Sequence, residues 1–112
     1  MKPDVTDFAE YLESFFTDYL GAEQGASKHT VRSYRDTFIL LIEYMSEVQG
    51  ISVDKLVMTN FSREVILSFL NWLQTNRNNS VSTRNQRYAA IRSFYEFLER
   101  KDPARLATWQ SI

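Results

Sequence analysis

Two short stretches, SKHTVRSYR from Ser27 and SVSTRNQR from Ser80, combine basic, hydroxyl and amide side chains in the opening turns of two predicted helices. A helix N-terminus carries partial positive charge, so acidic residues usually collect there and arginines are mildly unfavourable. A phosphate bound at these turns would reverse that preference, because helix N-termini and guanidinium groups both attract phosphate. Amide side chains can also hydrogen-bond to base edges in the major groove of DNA. The two stretches therefore favour an anionic partner over a solvated helix end.

His29 and Arg32 form an H-x-x-R pair, the one pattern in the sequence that imitates a catalytic motif. Residues three apart share a helix face and could contact one phosphate, but such pairs are common on surface helices. The sequence contains no glycine-rich phosphate loop, no H-E-x-x-H and no nucleophile elbow around a serine. It has no cysteine, and one histidine cannot build a zinc site by itself. We therefore predict no active site, no metal and no cofactor in these 112 residues.

The formal net charge of -1 conceals a segregation of charge along the chain. Residues 1–26 carry six acidic side chains against one lysine, and residues 27–36 carry three basic side chains against Asp36. Residues 77–92 carry four arginines and no acidic residue. This asymmetry indicates a basic face for an anionic partner and an acidic region directed elsewhere, although charge runs are often only solvated surface.

Apolar residues that recur at steps of three and four predict four amphipathic helices, which would position these stretches. Helix one closes near Gly21, and helix two begins after the N-cap Ser27 and ends before Gly50. Ser62 and Ser82 are the predicted N-caps of helices three and four. The predicted inward residues are Val5, Phe8, Leu12, Phe15, Phe16 and Tyr19 in helix one; Val31, Tyr34, Phe38, Leu41, Ile42 and Met45 in helix two; Val65, Ile66, Phe69, Leu70 and Leu73 in helix three; and Tyr88, Ile91, Phe94, Tyr95 and Leu98 in helix four.

In helix four, a rotation of about 100° per residue places the apolar stripe on one face. Arg84 and Arg87 lie nearer the direction of the stripe but precede most of it, so we expect them to project past the end of the core. The positions that fall opposite the stripe are Ser82, Asn85, Gln86 and Ala89.

The predicted fold class is all-α, a compact four-helix bundle. No segment alternates with a period of two and no unit of roughly 20 to 50 residues repeats, so the pattern favours neither a sheet nor a solenoid. Residues 51–61 are predicted to form an extended turn whose apolar side chains plug the core, and the Asp102–Pro103 pair ends helix four. The acidic N-terminal stretch has no uninterrupted apolar run, so we expect neither a signal peptide nor a membrane partner. The absence of cysteine favours a reducing, cytoplasmic setting.

SKHTVRSYRDTFILLIEYM together with SVSTRNQRYAAIRSFYEFL resembles the N-terminal core-binding, SAM-like domain of tyrosine recombinases, the phage-integrase and Xer-type site-specific recombinases. The resemblance covers about residues 6–103. Each match is weak alone, whereas both stretches at this separation in an all-α chain are more specific. The matching residues are Thr30, Tyr34, Ser82, Thr83, Arg84, Phe94, Tyr95 and Leu98.

The resemblance implies a domain that grips one face of duplex DNA during recombination or integration, while a separate C-terminal catalytic domain grips the other face. Residues 1–103 would form the core-binding domain and residues 104–112 would begin the linker toward the catalytic domain. The family's catalytic arginine, lysine, H-x-x-R box and nucleophilic tyrosine belong to that second domain, so HTVR is not that box and these residues are not themselves an enzyme. Self-association of recombinase protomers on DNA stays open.

The resemblance also implies which residues contact DNA, through helices two and four. With Lys28 of the same basic turn included, the predicted contacts are Lys28, Thr30, Arg32, Ser33, Ser82, Thr83, Arg84, Gln86 and Arg87.

Two other function classes remain open. A helical protein-interaction module would dock a partner through its acidic first helix, and it would lack the steep salt dependence that counterion release gives to phosphate binding. An independent helix-turn-helix regulator needs a short turn between two helices, and the predicted loops, TNRNNSV among them, are too long for that.

Overall fold

A computed structural model describes residues 6–23 and 25–103. These residues contain helices and loops but no strand, which confirms the predicted all-α class. The four α-helices are α1 (Asp7–Ser14), α2 (Lys28–Glu47), α3 (Arg63–Asn76) and α4 (Val81–Lys101). The shorter elements are a π-helical segment, Phe15–Glu23, and two 3₁₀ turns, Val53–Lys55 and Met58–Asn60. Among the described residues no helix is both long enough and apolar enough to cross a bilayer.

A hydroxyl side chain caps the start of each α-helix. Thr6, Ser27, Ser62 and Ser80 each accept a hydrogen bond from the backbone N–H three residues later, at 3.1–3.2 Å. The predicted caps Ser27 and Ser62 are confirmed. The prediction of Ser82 is wrong, because Ser80 has the extended backbone that an N-cap requires, whereas Ser82 already lies inside α4.

The two serines at the start of α4 give a matched test of this correction. Ser80→Ala is expected to lower the free energy of unfolding by about 1 kcal/mol, because the N–H of Thr83 loses its acceptor. Ser82→Ala is expected to change it by no more than a few tenths of a kcal/mol, since alanine favours a helix interior. Urea titrations of both variants measure the difference. A larger loss at Ser82 would contradict the assigned cap.

The ends of α2 and α3 use residues with left-handed backbone. Gly50 has φ +72° and Asn78 has φ +54°, conformations that glycine and asparagine tolerate best. The turn after each helix lets a backbone N–H bond back to a carbonyl six residues earlier, 2.9 Å from Ile51 to Met45 and 3.1 Å from Asn79 to Leu73. The connection between α3 and α4 is residues 77–80, shorter than the predicted loop. Loop length therefore gives no argument against a helix-turn-helix.

The first helix forms as predicted, but its second half is π-helical instead of α-helical. It begins as α1, changes to π-helical geometry at Phe15 and continues to Glu23, past the predicted end near Gly21. The N–H of Ala26 bonds to the carbonyl of Leu20 at 2.9 Å and closes the segment. Tyr19 and Leu20 are both buried in this segment, so their side chains belong to the core.

Aromatic rings form the centre of the core. Phe15 has no exposed surface, and its ring centroid lies 5.3–6.3 Å from those of six other aromatic residues. Those six rings are Phe16, Tyr19, Tyr34, Phe38, Phe94 and Phe97. Because these rings come from the first helix, α2 and α4, Phe15 joins three parts of the chain.

Segment 51–61 plugs the core as predicted, since Leu56, Met58 and Phe61 are buried. Tyr88 contradicts its prediction as an inward residue: its side chain is 41% exposed. It lies on the same edge of the α4 stripe as Tyr95, two turns later, but other elements cover only Tyr95. Val5, predicted to be inward, lies outside the described residues.

Candidate nucleic-acid interface

Arg87 connects the start of α4 to α2. Its Nη1 donates to the carbonyl oxygen of Ser33 at 3.2 Å and to Oγ1 of Thr37 at 3.1 Å. Thr37 is only 1% exposed, and its hydroxyl donates to the same Ser33 carbonyl at 3.1 Å. The prediction that Arg87 projects past the core is therefore wrong, because its side chain turns toward α2.

A groove of about 310 Å³ opens between the two helices. We call it the inter-helix groove; its lining residues are His29, Thr30, Ser33 and Tyr34 of α2 and Gln86 and Ala89 of α4. Three predicted DNA contacts, Thr30, Ser33 and Gln86, meet there. Their hydroxyl and amide groups can both donate and accept hydrogen bonds, as base edges require.

Lys28, Arg32 and Arg35 form a basic row along α2. All three side chains are exposed, and none makes an ion pair with a described residue. They line a second groove of about 300 Å³ together with Ala26 and Val31. Arg35 was not among the predicted contacts. The steps from Lys28 to Arg32 and from Arg32 to Arg35 are four and three residues, so the three side chains lie on one face of α2. The basic row thus supplies cations with which no carboxylate of the described residues forms an ion pair.

The opening turns of α2 and α4 have the same hydrogen bonds. Ser27 Oγ donates to Thr30 Oγ1, and Ser80 Oγ donates to Thr83 Oγ1, each at 3.1 Å. Each threonine hydroxyl is thereby held against its capping serine, and a hydroxyl group can both donate and accept further hydrogen bonds. Ser82, the next predicted contact, is exposed one residue before Thr83.

The arginines of residues 77–92 differ in their surroundings. Arg77 pairs with Glu43 at 3.2 Å and lies 4.8 Å from the ring centroid of Trp72. Arg92 pairs with Glu96 at 3.6 Å. Arg84 is half-buried and has no ion pair among the described residues, and its Nε has no hydrogen-bond partner there. Of these arginines, Arg84 is therefore the one whose side chain makes no hydrogen bond or ion pair within the described residues.

Asn85 is exposed beside Gln86 on the outward face of α4. The helical spacing indicated this position, yet it was not among the predicted contacts. It adds a second amide to the surface next to the inter-helix groove.

The structure gives no support to a catalytic H-x-x-R pair. His29 lines the inter-helix groove, whereas Arg32 lines the groove of the basic row, so the two side chains do not line one site. The described residues also contain no group of three or more histidine, cysteine, aspartate or glutamate side chains that could hold a metal ion.

The family model for the phage integrase N-terminal SAM-like domain matches residues 5–102. The chain belongs to this family. This confirms the resemblance drawn from the two helix openings, and the four-helix architecture agrees with it. The match is to the N-terminal domain of an integrase, and the 112 residues do not include a recombinase catalytic domain.

Curated relatives carry names from the same family. The chain is 38% identical over 104 residues to a Sinorhizobium fredii protein named as an integrase/recombinase, y4rD, covering 93% of this chain and 37% of that protein. It is 33% identical over 90 residues to the tyrosine recombinase XerC of Herpetosiphon aurantiacus, covering 80% of this chain and 27% of that protein. The integrase domain therefore spans about a third of the length of the relatives it matches. No solved structure matches this chain.

Proposed function

We propose that this integrase N-terminal domain binds duplex DNA at a recombination site, with the inter-helix groove and the basic row facing the DNA. The observation that carries the proposal is that Thr30, Ser33 and Gln86, from two helices, line one groove. An unpaired row of cations lies along the same helix, α2. Hydroxyl and amide groups flanked by positive charge suit a ligand with base edges and phosphates.

The proposed mechanism is positioning. Lys28, Arg32, Arg35 and Arg84 contact backbone phosphates and set the register of the domain on the duplex. Thr30, Ser33, Ser82, Thr83 and Gln86 add hydrogen bonds to phosphates or base edges, which gives modest sequence discrimination. Arg87 acts differently, through its hydrogen bonds to α2.

Three further parts of the proposal follow from the family. Residues 104–112 lead toward a catalytic domain that grips the opposite face of the DNA. The domain acts in the cytoplasm, and it acts beside other recombinase protomers bound to the same DNA.

The test is a titration of the 112-residue chain against a random-sequence duplex at two salt concentrations. Four phosphate contacts predict a slope of about -3.6 for log affinity against log salt, so affinity is expected to fall roughly 150-fold between 50 and 200 mM. We expect a dissociation constant of about 10⁻⁴ to 10⁻⁶ M near physiological salt, in the range of non-specific binding. Binding that does not respond to salt, or no binding at 50 mM, would contradict the proposal and favour a protein-interaction module.

A further inference from the structure

Arg87 is a half-buried cation whose polar partners carry no charge. Its Nη1 donates to the Ser33 carbonyl and the Thr37 hydroxyl, and it makes no ion pair with a described residue. Its Nε is buried without a hydrogen-bond partner among those residues. The side chain of Arg87 is therefore held by hydrogen bonds to α2 and not by an ion pair.

The bonds of Arg87 connect the two walls of the inter-helix groove. Ser33 is a lining residue on the α2 side, and Arg87 directly follows Gln86, a lining residue on the α4 side. Apolar contacts between helices are not directional, so they tolerate small sliding movements. Hydrogen bonds from a planar guanidinium group are directional and fix the register of one helix against the other.

Thr37 fixes the positions of the two groups on α2 that accept hydrogen bonds from Arg87. Its hydroxyl bonds to the Ser33 carbonyl one turn earlier, so both acceptors of Arg87 belong to one rigid turn of α2. Since Thr37 is buried, it cannot contact DNA directly. It can influence DNA binding only through the helices.

We propose that Arg87 is a positioning residue for DNA binding: with Thr37 it fixes the spacing between the Ser33 and Gln86 walls of the inter-helix groove, and it does not itself contact a phosphate. This inference rests on the proposed function. It assigns Arg87 a different role from the phosphate and base contacts of its neighbours.

The experiment compares Thr37→Val, Arg87→Lys and the double variant with the unchanged 112-residue chain. Binding to a random-sequence duplex is measured at two salt concentrations, at a temperature where urea titration shows each variant to be folded. Each single variant is expected to bind DNA roughly three- to tenfold more weakly, and the double variant no more weakly than the worse single variant, because the two residues act as one unit. The slope against salt should stay unchanged, because the same phosphates remain bound.

Two control variants make the same chemical changes elsewhere. Thr75→Val removes a hydroxyl-to-carbonyl bond of the same kind, 3.0 Å to Asn71, from an exposed position on α3. Arg100→Lys changes an arginine about 20 Å along α4 from Arg87, at 1.5 Å per residue. Both are expected to bind DNA as tightly as the unchanged chain.

The outcomes separate this inference from the proposed function. A merely structural role would lower stability but leave the DNA affinity of folded Thr37→Val and Arg87→Lys unchanged, which would overturn the inference alone. A salt slope smaller in magnitude by about one for Arg87→Gln, which removes the charge that Arg87→Lys keeps, would show a direct phosphate contact and would also overturn it. If Thr37→Val does not fold, Arg87→Lys decides by the same criteria. No binding by the unchanged chain would remove the proposed function and this inference with it.

Discussion

Reversing the charges of Arg32 and Arg35 together is expected to weaken binding of duplex DNA roughly 30-fold or more at low salt, because two charge-assisted phosphate contacts are replaced by repulsion. Both side chains are unpaired on α2, so Arg32→Glu and Arg35→Glu break no ion pair within the described part of the domain. The slope of log affinity against log salt should fall in magnitude by about two, one for each phosphate that is no longer neutralised. Fluorescence titration with a labelled duplex at several salt concentrations measures both quantities.

A matched control is the pair Arg63→Glu and Arg100→Glu, which makes the same change in net charge. Arg63 and Arg100 line neither the inter-helix groove nor the groove of the basic row. This control variant should bind DNA only slightly more weakly, because it changes the long-range electrostatic field but removes no proposed phosphate contact. It should retain most of the salt slope. Equal losses in the two double variants would mean that net charge alone governs binding and that the basic row is not a contact surface.

Phe15→Ala is expected to destabilise the domain by about 3–5 kcal/mol, as large buried aromatic truncations generally do. Phe15 has no exposed surface and packs against rings from the first helix, α2 and α4, so the cavity would lie where these parts meet. Domains of ordinary stability have only about 5–15 kcal/mol in total, so this loss would remove a large fraction of the stability. Urea titration followed by circular dichroism measures the loss.

Tyr88→Ala is the control for this prediction. The side chain is also aromatic and helical, but it is 41% exposed, and its loss should change the free energy of unfolding by no more than about 0.5 kcal/mol. A cost at Tyr88 similar to that at Phe15 would mean that α4 packs against the core in a different rotation about its axis.

The amino-acid sequence by itself determined the elements of this domain and its family. Ser27 and Ser62 are N-caps because a hydroxyl next to an amphipathic segment bonds to an N–H three residues away, which is a local interaction. The apolar stripes follow from helical periodicity, which is also local. The hydroxyl, amide and basic groups of the two helix openings were recognisable because residue type and spacing are also local features of the sequence.

Two choices could not be made from the local sequence: which serine caps α4, and which tyrosine on one edge of α4 is buried. Ser80 and Ser82 are both acceptable caps by residue type, and the backbone conformation of the 77–80 connection selects Ser80. Tyr88 and Tyr95 lie on one edge of the same helical stripe, but only Tyr95 is covered. Periodicity gives the direction of a side chain, whereas burial depends on where the neighbouring elements end.

The partners of the arginines also depended on tertiary structure. Arg87 bonds to Thr37, 50 residues earlier in the chain, and Arg77 bonds to Glu43, 34 residues earlier. In sequence the four arginines of residues 77–92 look alike, because no acidic residue lies among them. The packing of α4 and α3 against α2 brings distant carbonyl, hydroxyl and carboxylate groups within reach of some arginines and not others. Side-chain periodicity cannot specify that packing, so the sequence predicted a basic surface but not which of its cations are free to bind a phosphate.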